Sequence, residues 1–161
     1  PYIAIEGGWE DLLNSRSANF RSNRKRRLRR VRDYGITEMR WFESEADVVP
    51  LLQDLYAIEK RSWKATQGIA ITDRPAEQRY HELLLPMLAK RRSLLANVLY
   101  ISETPVAYVL CAHWNGWVGH LKTSFDEAFD HVGAVVIDDS IQRAYHIDAK
   151  EYDFLGAATQ H

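Results

Sequence analysis

At 161 residues the chain is long enough for one domain with a sizeable core and too short for two full ones. Its 46% hydrophobic and 27% charged content is ordinary for a globular protein and argues against disorder. No apolar run approaches the roughly 20 residues that span a bilayer, no basic-then-apolar leader opens the sequence, and the single Cys111 excludes an intrachain disulfide, so the cytoplasm is the expected compartment. The net charge of −1 hides a sharp asymmetry. Residues 16–32 hold nine of the 21 basic residues and no acid, which leaves twelve basic against 22 acidic residues elsewhere.

Along the chain, Tyr2 to Ile5 is a strand candidate closed by Gly7-Gly8, and Trp9, Leu12 and Leu13 mark a short amphipathic helix. Ser17 or Asn19 caps a second helix running to Tyr34, with Gly35 as its stop, a thin apolar face (Phe20, Leu28, Val31) and arginines at most other positions. Ile36 to Phe42 alternates as a strand. Ser44 and Asp47 resemble a capping box for a helix carrying Leu51, Leu52, Leu55, Ile58 and Glu59, with Pro50 in its first turn or kinking it. Residues 62–72 read as a loop, and Asp73 and Pro75 open a further helix through Arg91.

Leu94 to Ile101, Val106 to Trp114 and Trp117 to Thr123 read as three consecutive strands, the first pair joined through Glu103-Thr104-Pro105. Asn115-Gly116, the residue pair of a type I′ hairpin, joins the second pair. A helix from Gly133 to His146 and a last strand, Tyr152 to Leu155, complete the pattern. An antiparallel meander followed by a crossover helix and one more strand predicts an α/β layered fold: a mixed, mainly antiparallel sheet with one parallel pair, flanked by helices.

Several segments together match a known family. Pro1-Tyr2-Ile3, Gly8-Trp9-Glu10, Ser17 to Arg24, Arg29-Arg30 and Gly35 resemble the second half of the CelD-type GNAT acetyltransferases, which are associated with bacterial exopolysaccharide and cellulose synthesis. Glu59-Lys-Arg-Ser-Trp-Lys64 with Gly68, Pro105-Val-Ala107, Leu121-Lys122-Thr123-Ser-Phe-Asp126 and Asp153-Phe-Leu-Gly156 extend the resemblance over nearly the whole chain. The resemblance implies a GNAT-type fold, acetyl-CoA or another acyl-CoA as donor without a metal, and kinship with the FemA-type peptidyltransferases, which use charged tRNA. It further implies that residues 1–161 form a single GNAT-like domain, the C-terminal half of a longer tandem protein, truncated at its C-terminal end. Where relatives carry Arg/Gln-x-x-Gly-x-Gly/Ala, this chain has Asp130-His-Val-Gly133-Ala134-Val135.

Acyl transfer to an amine needs aligned substrates, a deprotonated amine and stabilised oxyanion and thiolate charge. The family pattern places the donor between Trp117–Thr123 and Glu151–Leu155, with its phosphates at the helix start, so Thr123, Val132, Gly133, Ala134 and Val135 are the expected donor-binding residues. Gly133 permits close backbone approach, or simply starts the helix after a loop. Lys64 is a candidate ligand for a carboxylate or phosphate, or an exposed lysine at a helix end. Lys122 and His120 alternate along one strand beside the acyl site, and His120 is a candidate base because histidine titrates near neutral pH. Asp153 is the candidate acid or base, or else a partner for Lys122 or a neighbouring arginine. The arginine helix reads as a solvated face, a polyanion site or a docking surface for the acidic remainder or the missing half; no aromatic residues interleave with its arginines, so nucleic acid is not the expected partner. No histidine has metal-ligand spacing and no serine nucleophile elbow is present. The expected activity is acyl-CoA-dependent N-acylation of a small metabolite or sugar amine; the alternatives are aminoacyl transfer from charged tRNA and a non-catalytic scaffold half.

Overall fold

The computed structural model describes residues 1–156. Six strands form one sheet in the order β1-β6-β5-β4-β3-β2, with β1 Tyr2–Ala4, β2 Thr37–Phe42, β3 Leu94–Ile101, β4 Thr104–Trp114, β5 Trp117–Phe125 and β6 Glu151–Asp153. Among the described residues only β5 and β6 run parallel. The helices are α1 Trp9–Ser15, α2 Ala18–Arg32, α3 Val48–Glu59, α4 Trp63–Thr66, α5 Pro75–Lys90 and α6 Val132–His146. This is the mixed, layered α/β architecture that the element order predicts. Among the described residues no helix is long and apolar enough to cross a membrane.

The meander turns follow backbone chemistry. Asn115 and Gly116 have φ of 48° and 84°, the left-handed pair of a type I′ turn. The β3–β4 turn is equally tight but falls one residue earlier than the sequence suggests, at Ser102 and Glu103 (φ 47° and 68°). Thr104 and Pro105 already belong to β4, and Pro105, which has no N–H to give, lies opposite Tyr100 where the register shifts. The 62–72 stretch is not a plain loop: it contains α4 and a 3₁₀ turn at Ile71–Asp73, both too short to display a period. β6 ends at Asp153, ahead of the turn at Leu155 (φ 52°), although Phe154 N–H still extends the ladder with β1 by bonding Pro1 O.

Two cores sandwich the sheet. Alternating residues of β4 send Val109 and Cys111 towards α6, together with Val118, Val136, Ala144 and Tyr152. Tyr108 and Leu110 point the other way, against Leu51, Leu55 and Ile58 of α3 and Leu85 of α5. The expected caps are in place. Ser17 Oγ accepts from Phe20 N–H at 3.2 Å, and Asp47 accepts from the Ser44 amide at 2.8 Å ahead of α3. The amides of Glu43 and Ser44 hold the Asp47 carboxyl below its usual range. On α2, Val31 is buried against the α6-side core and Arg24 reaches Asp138 of α6 at 2.5 Å.

Candidate active site

The parallel pairing of β5 with β6 covers only Trp117↔Glu151, Val118↔Tyr152 and Gly119↔Asp153. β5 then continues to Phe125, and among the described residues no strand lies beside it on that side. Along the same stretch β5 bulges. Leu110 pairs with Lys122 and Cys111 with His120, which leaves Leu121 without a partner on β4.

The bulge changes which face each side chain uses. Simple alternation would put His120 and Lys122 on one face, but the extra residue sends them to opposite faces. His120 shares the α6 side with Cys111, and its Nδ1 lies 2.8 Å from Tyr152 Oη. Tyr152 Oη is also 3.0 Å from Ser140 Oγ. Burial alone pushes the His120 pKa below its ordinary value and favours the neutral imidazole. Burial likewise raises Tyr152 far above a free tyrosine, with Cys111 adding to the effect, and lifts the Cys111 thiol to about 11. Lys122 turns towards α5 and pairs with Glu77 Oε1 at 3.2 Å.

Next to Lys122 lies a second charged group. Glu59, at the end of α3, is fully buried and accepts from Tyr108 O–H at 2.6 Å, from the Ile71 amide at 3.1 Å and from Lys64 Nζ at 3.4 Å. Burial opposes its charge, but the Tyr108 hydrogen bond, the Lys64 charge and the Ile71 amide outweigh burial and hold its pKa below the ordinary value. Burial lowers the Lys64 pKa despite the pull of Glu59, and nearby Lys122 lowers it further. Lys64 Nζ also donates to Thr123 O at 2.7 Å. Asp126 N–H bonds Val106 O, so the residues at positions 122, 124 and 126 turn their backbone groups towards β4, while Thr123 turns its own to the open edge. Lys64 therefore sits on the unpaired edge of β5.

The helix start expected to hold phosphate is tightly packed. His131 precedes α6 at φ 69°, and Val132, Gly133 and Val135 are buried, with Ala134 partly exposed. A Cβ on Gly133 would lie 2.7 Å from the Phe125 ring, so that ring uses the close approach the glycine allows. The loop before the helix is acidic; Asp126 is paired with Arg61 at 2.5 Å. The C-terminal end of α2 reaches the same loop: Tyr34 meets Phe129 edge-on at 5.1 Å and accepts from the Asp130 amide at 3.1 Å.

Asp153 uses Oδ1 to accept from the Leu155 amide at 2.8 Å, and the carboxylate that pairs with Lys122 is Glu77. Four groups escaped the sequence reading: Glu77, Tyr108, Tyr152 and the buried end of Glu59. Glu59 and Tyr152 each lie in or beside a quoted segment, whereas nothing local marks Glu77 or Tyr108. Between α5 and the bulge is a pocket of about 180 Å³ whose lining includes Glu77, His81, Leu110, Leu121, Lys122 and Leu155. A larger groove of about 270 Å³ separates α2 from α6, away from the splayed strands. Among the described residues no three His, Cys, Asp or Glu side chains gather as a metal site.

A family profile described as an acetyltransferase (GNAT) domain matches residues 18–161. The chain belongs to the GNAT acetyltransferase family. Solved structures share the fold at low identity. A conserved protein of unknown function from Bacteroides thetaiotaomicron VPI-5482 is 14% identical with a TM-score of 0.62, over 94% of this chain and 48% of that one. The C-terminal DUF2156 domain of an Agrobacterium fabrum protein is 10% identical with a TM-score of 0.62, over 94% and 43%. The PaiA N-acetyltransferase of Thermoplasma acidophilum, solved in complex with coenzyme A, is 14% identical with a TM-score of 0.52, over 71% and 75%. This GNAT domain thus spans about half the length of the Bacteroides chain. No curated protein matches it.

Proposed function

We propose that this GNAT domain moves an acyl group from an acyl-CoA thioester to the amine of a small metabolite or sugar. The observation that carries the reading is the splay of β5 from β6 after three paired positions, with the Leu121 bulge and a polar pocket beside the opening. A free strand edge offers N–H and C=O groups that an amide-containing donor arm can pair with. When bound there, acyl-CoA supplies an activated thioester carbonyl.

The chain's own groups divide the remaining work. Thr123 gives its outward carbonyl to the donor arm, and Lys64 yields that position while staying held by Glu59. The start of α6, Val132 to Val135, sets its dipole towards the donor phosphates. Lys122 faces the acceptor, and Asp153 closes the far side of the opening at the end of β6. His120, neutral through burial and anchored by Tyr152, lies on the α6 face of β5, across the sheet from Lys122, so the proton the acceptor must lose passes to a base on the acceptor's own face, where Glu77 is the carboxylate. The acceptor starts as an ammonium: one proton passes to the base, the new C–N bond replaces the C–S bond, a second proton passes to the thiolate leaving group, and the amide keeps the third.

We read the domain as the C-terminal half of a tandem, CelD-like cytoplasmic protein of exopolysaccharide synthesis. Its family resemblance supports this, as does its matching about half of a longer chain of the same fold. A second reading, a non-catalytic scaffold half, is favoured by two contacts: Lys64 on the Thr123 carbonyl and Phe125 over Gly133. The exposed basic residues of α2, including Lys25, Arg26, Arg29 and Arg30, are the feature that favours aminoacyl transfer from charged tRNA. Calorimetric titration with acetyl-CoA and a long-chain acyl-CoA separates these. Donor binding that Gly133→Glu weakens supports acyl transfer. Absence of binding to this domain and to the full-length protein overturns it, and retention of charged tRNA moves the aminoacyl reading forward.

A further inference from the structure

Helix α2 carries its positive charge as a ridge. Its inner side is set by Val31 and Leu28, which pack on the α6-side core, and by Arg24, paired with Asp138 of α6. Lys25, Arg26, Arg29 and Arg30 lie on the opposite side, all exposed, within about 8 Å of helix axis. Among the described residues none of the four forms a salt bridge. Lys25 with Arg29, and Arg26 with Arg30, are like-charged neighbours at i,i+4, a spacing that repels and weakens a helix. No acid lies between residues 16 and 32 to offset them. An anionic partner from outside relieves that repulsion.

Two features decide which anion. The first is shape. Proteins that hold single-stranded nucleic acid track its backbone along a positively charged groove and stack bases on aromatic rings. Here the charges stand on a helix crest, with no aromatic residue from Lys25 to Arg30. The second is the groove of about 270 Å³ beside the ridge, between α2 and α6, whose lining includes Phe20, Leu28, Ala134, Ile137 and Ile141. Arg24 and Arg27 share that groove with Asp138, whose carboxylate answers both charges. Phe20, about a turn and a half ahead of Lys25, is 43% exposed. Cations along a crest with apolar side chains at its flank match an anionic bilayer: headgroups meet the charges, and the acyl-chain boundary meets the apolar edge. The rest of the chain has twelve basic against 22 acidic residues, so the same surface repels it and one orientation is favoured.

We infer that α2 docks this domain on an anionic phospholipid bilayer, with Lys25, Arg26, Arg29 and Arg30 on the headgroups and Phe20 at their boundary. The inference stands independently of the acyl-transfer reading. The test is flotation of the full chain with vesicles of phosphatidylcholine, either pure or containing about one-third phosphatidylglycerol. The anionic vesicles should bind at least about 100-fold more tightly, and the advantage should collapse near 1 M salt, where charges are screened within about 3 Å. Equal binding to the two vesicles, or none to either, overturns the inference, and neither result depends on a variant's folding. Changing all four ridge residues to Gln should lower the partition coefficient at least about 100-fold, since each basic side chain near such a surface contributes roughly five-fold. The matched control, Arg79→Gln, Lys90→Gln, Arg91→Gln and Arg92→Gln, removes the same charge from exposed positions on and just after α5 and should keep most of the binding. Equal losses in the two variants make net charge the cause and overturn the ridge. Phe20→Ser should weaken binding at low and high salt alike, because an apolar contact is not screened; an unchanged affinity overturns the bilayer in favour of a soluble polyanion. Tighter binding to tRNA than to vesicles at equal phosphate concentration also overturns it and assigns the ridge to the aminoacyl reading.

Discussion

β3 and β4 are partnered from Leu94↔Ala112 to Ile101↔Thr104, whereas β5 and β6 share three positions and then part. The composition follows the pairing. Every residue of β3 is buried, and Val106 through Cys111 of β4 are wholly so. β5 beyond its pairing carries His120, Lys122 and Thr123, all partly exposed. The sheet is closed where its side chains are mostly apolar on both faces, Asn97 aside, and open where polar ones gather. A backbone edge without a strand partner must bond to something else, and in this protein part of that role falls to the Lys64 ammonium, held from behind by a buried carboxylate.

Four measurements press on that contrast. The largest effect should come from the groups that hold the open edge. Glu59→Leu leaves the Lys64 ammonium without its counter-charge and should cost about 3–5 kcal/mol in denaturant unfolding. If Lys64→Met in the same chain fails to recover a substantial part of that loss, the two are not acting as a pair. Next, Leu95→Ala in the closed half should cost about 2–5 kcal/mol, while the same change at Leu155, half-exposed beside the opening, should leave the unfolding midpoint nearly unchanged. Similar losses at both sites would erase the distinction between the halves. Gly133→Ala should cost about 1–3 kcal/mol through its clash with Phe125, and Phe125→Leu should suppress it. A full cost in the double variant would place the constraint in the backbone rather than the ring.

The smallest effect concerns pH. Burial depresses the His120 pKa from its ordinary 6.5, so the unfolded chain takes up this proton first as pH falls. Stability is therefore unaffected by this group above that value and declines below it, by at most about 1.4 kcal/mol per pH unit. Thermal melts at pH 7.5 and 5.5 should show a decline that is smaller in His120→Gln; an equal decline in both proteins assigns the acid sensitivity elsewhere.

Periodicity and turn chemistry made most of the fold legible, because those signals are local. Asn115-Gly116, Ser17, the Ser44–Asp47 box and the helix from residue 133 to 146 each depend on neighbours within a few residues. The turn at Ser102-Glu103 was misplaced because neither residue is a glycine, and the left-handed backbone there is imposed by the pairing of β3 with β4. The site was legible by residue type and family pattern but not by geometry. Lys64, Lys122, Thr123 and His120 are quoted positions, yet their partners Glu59, Glu77, Tyr108 and Tyr152 come from four other elements.

The sequence by itself determined the six strands and the longer helices, their order, the parallel pair and the concentration of positive charge on one helix, since each follows from propensity and spacing along the chain. Only the tertiary structure decided which face each polar side chain of β5 uses. A single unpaired residue at Leu121 inverts the alternation, and a bulge exists only in relation to the strand it fails to match. The same holds for Glu77: its pairing with Lys122 arises from the packing of α5 against β5.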